Sequence, residues 1–238
     1  MDFVVGEAIQ GEFVRGDHIQ LDLHRGPYRT SSAYMSAQLS ILLHDIATLS
    51  LSFDPRDHKQ AEEMHIIHTK LLAVLPLLFS STDAETTCIY HDDLSLSNIL
   101  VSSSGEISGI VDWEVIIAAP AWEAFQIPSF LDICPEDRIA DALSPSELED
   151  EEAVQDHYNL VQDYEITQLR AFFLEEMGRE NPWWLETYEQ ESTRRDVLVA
   201  IANAGNDMYQ NRIKGWLDSL LEGRIPRMTL SQSLNEDD

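Results

Sequence analysis

The residues best suited to chemistry in this chain are Asp93, Asn98 and Asp112. The first two stand in His91-Asp92-Asp93-Leu94-Ser95-Leu96-Ser97-Asn98, and the third follows Asn98 by fourteen residues in Val111-Asp112-Trp113-Glu114. A carboxylate, a carboxamide and a second carboxylate are the groups that phosphoryl transfer needs. Asp93 could accept a proton from a substrate hydroxyl, or orient that hydroxyl, as it attacks phosphorus. Asn98 and Asp112 offer hard oxygen ligands that suit Mg²⁺, an ion that keeps several waters and takes its remaining ligands from a nucleotide's phosphates. His91 reads as a loop-holding residue, its ring packed beneath the loop and hydrogen-bonded to backbone. Asp92 is ambiguous, because two adjacent side chains in a loop cannot both face one site. An isolated H-x-D would be read as a polar turn between strands; three such residues on elements in the right order argue against that.

Those elements are legible around the motif. Thr86-Thr87-Cys88-Ile89-Tyr90 is β-branched and aromatic, so it predicts a strand that delivers His91 to a loop. Ile99-Leu100-Val101 and Ile107 to Val111 flank the polar turn Ser102 to Glu106, which predicts a β-hairpin. Antiparallel pairing then brings Asn98, at the entrance of one strand, to Asp112, at the exit of the other.

Elsewhere the pattern is helical. Ser31 or Ser32 could cap a helix burying Tyr34, Met35, Leu39, Leu42, Leu43 and Ile46. A second helix is expected from about Asp57 to Leu75, a third from Tyr158 to Met177 ended by Gly178, and a fourth from Asn181-Pro182 to about Ala202. A last one carries Met208, Tyr209, Ile213, Trp216, Leu217, Leu220 and Leu221. His65 and His68 lack a third convergent ligand and read as surface or packing residues. Residues 132–157 form an acidic, mobile insertion on this reading, and residues 229–238 a polar tail.

The motif HDDLSLSNILV, the hairpin GEISGIVDWE and the following Ala119-Pro120 resemble the signature of the aminoglycoside phosphotransferase family, relatives of choline kinases and distant cousins of protein kinases. With Trp-Glu after the aspartate, the wording is closer to fungal-type members than to bacterial resistance enzymes. The resemblance implies Asp93 as the catalytic aspartate with His91 as the histidine that stabilises the catalytic loop, Asn98 and Asp112 as the magnesium ligands, and ATP as the phosphoryl donor. It also implies a protein-kinase-like large lobe of α+β class, mainly helical, with a small β-hairpin carrying the metal site. The opening Met1 to Ile9 resembles the segment joining the two lobes of such enzymes, so Asp2, Phe3 and Val4 would meet the nucleotide. No Gly-rich phosphate loop precedes His91, since Gly6, Gly11 and Gly16 are too widely spaced. The expectation is one domain over 1–238, a large lobe whose N-terminal lobe is missing and which alone has little activity. A degenerate small lobe in residues 1–30, with Lys59 or Lys70 as the phosphate lysine, is the alternative.

Composition excludes other classes. Forty-three acidic residues against fifteen basic ones give a formal charge of −28, which repels nucleic acid and anionic membranes. The longest apolar run, Leu71 to Phe79, is too short to span a bilayer, and no secretory leader pattern opens the chain. Two cysteines make neither a disulfide framework nor a zinc site, so a cytoplasmic location is expected. The reading is an ATP- and Mg²⁺-dependent phosphotransferase acting on a hydroxyl of a small molecule. A catalytically inactive module that binds a small molecule or a protein stands as the alternative, and a metal-dependent hydrolase as a distant third.

Overall fold

The computed structural model describes residues 6–7, 10–79, 85–114, 116–132, 136–144, 147–224, 226 and 228–235. In chain order the described helices are α1 (Gly11–Val14), α2 (Ser31–Ser50), α3 (Pro55–Leu78), α4 (Ala121–Ala124), α5 (Glu151–Glu180), α6 (Pro182–Gln190), α7 (Ser192–Ala202), α8 (Gln210–Leu221) and α9 (Leu230–Asn235). The strands are β1 (Thr87–His91), β2 (Ile99–Val101), β3 (Ile107–Ile110) and β4 (Ile116–Pro120). The class is α+β, helices dominating two small sheets, β1 with β4 and β2 with β3. The single domain expected over 1–238 divides by its contacts into two units. Residues 1–90, 117–124 and 191–238 form the first, and residues 91–116 and 125–190 the second.

The first unit is a helical core. Thr30, rather than Ser31 or Ser32, caps α2 by accepting from the Ala33 N–H at 3.2 Å. Ser31 is buried instead, and its hydroxyl meets Glu85 and the Trp122 indole. Asp54 caps α3, with Pro55 at the first helical position, so the helix starts ahead of the expected Asp57. Met35, Leu39 and Leu42 of α2 join Ile67 and Leu71 of α3, Val197 of α7, and Ile213 and Leu217 of α8 in one buried cluster. Each such side chain contributes about 1.5–3 kcal/mol over leaving it in water. Lys70 pairs with Asp218, and Lys214 with Glu63 at 2.6 Å, fastening α3 to α8 along the edge of that cluster.

Two further expectations are corrected, at the tail and in the fourth expected helix. The tail expected from residue 229 begins with α9, because Leu230 and Leu234 are buried in the core cluster. Buried Asp196 of α7 accepts from the Leu230 N–H at 2.8 Å and the Ser231 N–H at 3.3 Å, capping α9 from a distance. Burial pushes the Asp196 carboxyl up, and the hydrogen bonds from Leu230 and Ser231 partly oppose this. The fourth expected helix is two, α6 and α7, broken at Glu191.

A histidine fixes the approach to α2. His18 is buried, with Nδ1 2.7 Å from the Glu12 carbonyl and Nε2 2.7 Å from Asp45. Both partners are acceptors, so both contacts are satisfied only when both ring nitrogens carry protons. Burial opposes that charge, yet the bonds to Asp45 and Glu12 outweigh it and hold the imidazole above its ordinary value.

In the second unit, β2 and β3 pair antiparallel, with Ile99 opposite Ile110, Leu100 opposite Gly109 and Val101 opposite Ile107. Gly105 closes the turn at φ +84°, where a side chain would be strained. Asp150 caps α5, which starts at Glu151, so the acidic segment expected to be mobile to residue 157 is helical from 151. Nor does α5 stop at Gly178. A Cβ there would lie 2.7 Å from the Leu185 Cδ2, so the glycine admits α6 against α5. Trp184 of α6 is buried, edge-on to Phe173 at 5.5 Å and stacked on Tyr188 at 5.3 Å. No described helix is long and apolar enough to cross a membrane.

Candidate active site

The motif residues His91, Asp93, Asn98, Asp112 and Trp113 all fall within the second unit. After β1 the chain turns at Asp92 and Asp93, passes through a 3-10 turn at Leu96–Asn98 and enters β2. Asn98 is buried at the base of this loop. Its side-chain Nδ2 donates to the Asp93 carbonyl at 2.8 Å, which ties the two residues together and leaves Oδ1 as the amide's acceptor atom. The Asn98 carbonyl in turn accepts from the Val111 N–H at 2.9 Å. That bond continues the β2–β3 ladder one step past Ile99 and Ile110, so Asp112 leaves the hairpin at the end where Asn98 enters it.

Asp93 and Asp112 are both exposed, as are Asp92 and Glu114. No lysine or arginine occurs between Lys70 and Arg138 in the sequence. His91 lies beneath the loop. It is buried, its Nε2 donates to the Val111 carbonyl at 3.1 Å, and its ring centroid lies 4.9 Å from that of Trp113. The His91 Nδ1 is buried and makes no hydrogen bond among the described residues. The Trp113 indole N–H donates to the Ile110 carbonyl at 2.7 Å. Asp112 has φ +63°, the one positive φ outside glycine among the described residues.

This donor set fits Mg²⁺ better than zinc. Among the described residues no group of three or more His, Cys, Asp or Glu could hold a metal. His65 and His68 stack at 6.3 Å on α3 and gather no further ligand among the described residues. One carboxylate and one amide oxygen make an incomplete, all-oxygen set of the kind Mg²⁺ completes with water and phosphate. The expected nucleotide-contacting residues Asp2, Phe3 and Val4 lie outside the described residues. Lys70, weighed as a substitute phosphate lysine, is held by Asp218.

The acids and the amide are legible in the sequence, whereas the Trp113 bond to Ile110 and the backbone of Asp112 are not. The one available signal was an aromatic N–H directly after the aspartate at a hairpin exit.

Comparison with known proteins supports the same class. Residues 20–123 match the model of the phosphotransferase enzyme family, APH, a range that contains His91, Asp93, Asn98 and Asp112. No curated protein and no solved structure matches the chain.

Proposed function

We propose that the chain carries the base and metal-ligand set of an ATP- and Mg²⁺-dependent phosphotransferase whose acceptor is a hydroxyl of a small molecule. The observation that carries this reading is the pair of hydrogen bonds by which Asn98 meets the backbone of Asp93 and of Val111, next to Asp112. The amide is oriented by the Asp93 carbonyl, and the Asn98 carbonyl holds the N–H of Val111, the residue before Asp112. Asp93 would accept the acceptor's hydroxyl proton as its oxygen attacks the terminal phosphorus and ADP leaves, and Asn98 Oδ1 and Asp112 would hold the ion. Bound there, Mg²⁺ would offset the negative charge of the phosphate oxygens. His91 keeps the loop seated through the Val111 carbonyl. The family match over residues 20–123 supports the same class of chemistry.

Calorimetry of ATP binding with and without Mg²⁺ tests the reading. The wild-type chain should bind ATP in a Mg²⁺-dependent manner, and Asp112→Ala should weaken it more than about tenfold, the loss expected for one charged contact. Absence of Mg²⁺-dependent binding by the wild type would remove the proposal.

A further inference from the structure

Asp112 is held in a conformation it would not choose. At φ +63° the Cβ of an L-residue crowds its own backbone, which aspartate tolerates better than most residues but still at a cost. The contacts on either side show what opposes that cost. Before Asp112, the Val111 N–H donates to the Asn98 carbonyl and the Val111 carbonyl accepts from His91. After it, the Trp113 indole N–H reaches back past Asp112 to the Ile110 carbonyl at 2.7 Å. The same indole ring rests against His91, centroids 4.9 Å apart at 58°. The chain is thus pinned on both sides of Asp112 to one pair of anchors, the hairpin end and the histidine. Trp113 remains 48 % exposed, so burial alone does not account for its placement.

We propose that Trp113 is a positioning residue for the metal-binding aspartate. Its N–H bond to Ile110 and its ring contact with His91 clasp the chain around Asp112 and keep the left-handed conformation that presents the carboxylate beside Asn98. This rests on the reading of Asp112 as a metal ligand, but the clasp itself can be tested without any metal.

The test is a double-mutant cycle on the full chain, with Asp112→Gly and Trp113→Phe made singly and together, followed by thermal melting in chelator. Phenylalanine keeps an aromatic ring near His91 but cannot donate to Ile110, and at a half-exposed position it leaves folding intact. Glycine adopts positive φ freely. Its effects on charge and on the unfolded chain are the same in both backgrounds and cancel in the cycle. With the tryptophan present, the change to glycine should be more favourable by about 2–4 °C than in the Trp113→Phe background, because strain is relieved only where the clasp enforces it. Additive effects overturn the clasp, whatever the metal does.

The second readout is Mg²⁺-dependent ATP binding by Trp113→Phe, expected to weaken about fivefold, the worth of one ordinary hydrogen bond. Coupling in the cycle with unchanged binding would leave a backbone device that does not serve the ion and would overturn the positioning role. Coupling without Mg²⁺-dependent binding by the wild type would retain the clasp and sink the proposed function instead.

Discussion

The helical core of the first unit and the loop and hairpin of the second are held together by different forces. Met35, Ile67, Ile213 and Leu217 expose no surface at all, and their positions follow from packing. Asp93, Asp112 and Trp113 are exposed, and what places them is a short chain of directional bonds from Asn98, His91 and the Trp113 indole. Apolar burial tolerates small displacements, whereas hydrogen bonds of 2.7–3.1 Å do not. The comparison therefore separates residues that supply stability from residues that supply geometry, and substitution should pull the two apart.

The largest separation is expected at Asp93. Replacement by Asn keeps the volume and removes the proton acceptor, so Mg²⁺-ATP-dependent transfer to a panel of small alcohols and amino alcohols should fall by about 10²–10⁴-fold. The melting midpoint should barely move; a large drop would mean that the loop is part of the fold's stability after all. Leu71→Ala probes the opposite side. A buried leucine replaced by alanine costs about 2–5 kcal/mol, measured by urea unfolding, while Mg²⁺-dependent ATP affinity should stay as it was at temperatures where the chain is folded.

A smaller effect is expected where a directional bond sits inside the core. Asp196→Ala strips the cap from α9 and leaves the Leu230 N–H without its acceptor, a loss of about 1–2 kcal/mol. Hydrogen exchange should show Leu230 and Ser231 opening before the rest of the unit. If α9 keeps its protection, Asp196 is not what seats it.

The smallest effect is a dependence on pH. The folded His18 is held above the ordinary histidine value of 6.5 by Asp45 and the Glu12 carbonyl, despite burial. Asp17 and His44 also face this region, with His44 Nε2 3.0 Å from Asp17 and its ring edge-on to His18. The Arg25 guanidinium donates to the His18 carbonyl at 2.7 Å. The stability contributed by the protonated ring is present in full below pH 6.5 and fades as pH rises through the raised folded value. Melting curves should therefore show the wild type losing ground to Asp45→Asn above pH 6.5. Parallel curves for the two would show that His18 is not the group responsible.

The parts of the molecule legible in its sequence were those governed by neighbours in the chain. Strand β1, the β2–β3 hairpin and the start of α6 at Pro182 follow from β-branched runs, a polar turn and an Asn-Pro pair. Two of the errors fall where residues of another element decide. Gly178 looks like a helix end until Leu185 occupies the space its missing side chain leaves. The stretch from Thr229 looks like a tail until Leu230 and Leu234 find a core and Asp196 caps their helix. β4 went unread because Ile116-Ile117-Ala118-Ala119 carries little of the alternation that marks a strand, and its pairing with β1 is not local.

The candidate site divides in the same way. The types and spacing of Asp93, Asn98 and Asp112, on a loop and hairpin in that order, were settled by the sequence alone, since short-range turn and pairing rules suffice to bring the hairpin's ends together. The left-handed backbone of Asp112, the orientation of the Asn98 amide and the reach of Trp113 back to Ile110 were decided only in the tertiary structure. A positive φ at a non-glycine residue is unfavourable locally, so it persists only where contacts from elsewhere in the fold outweigh its cost.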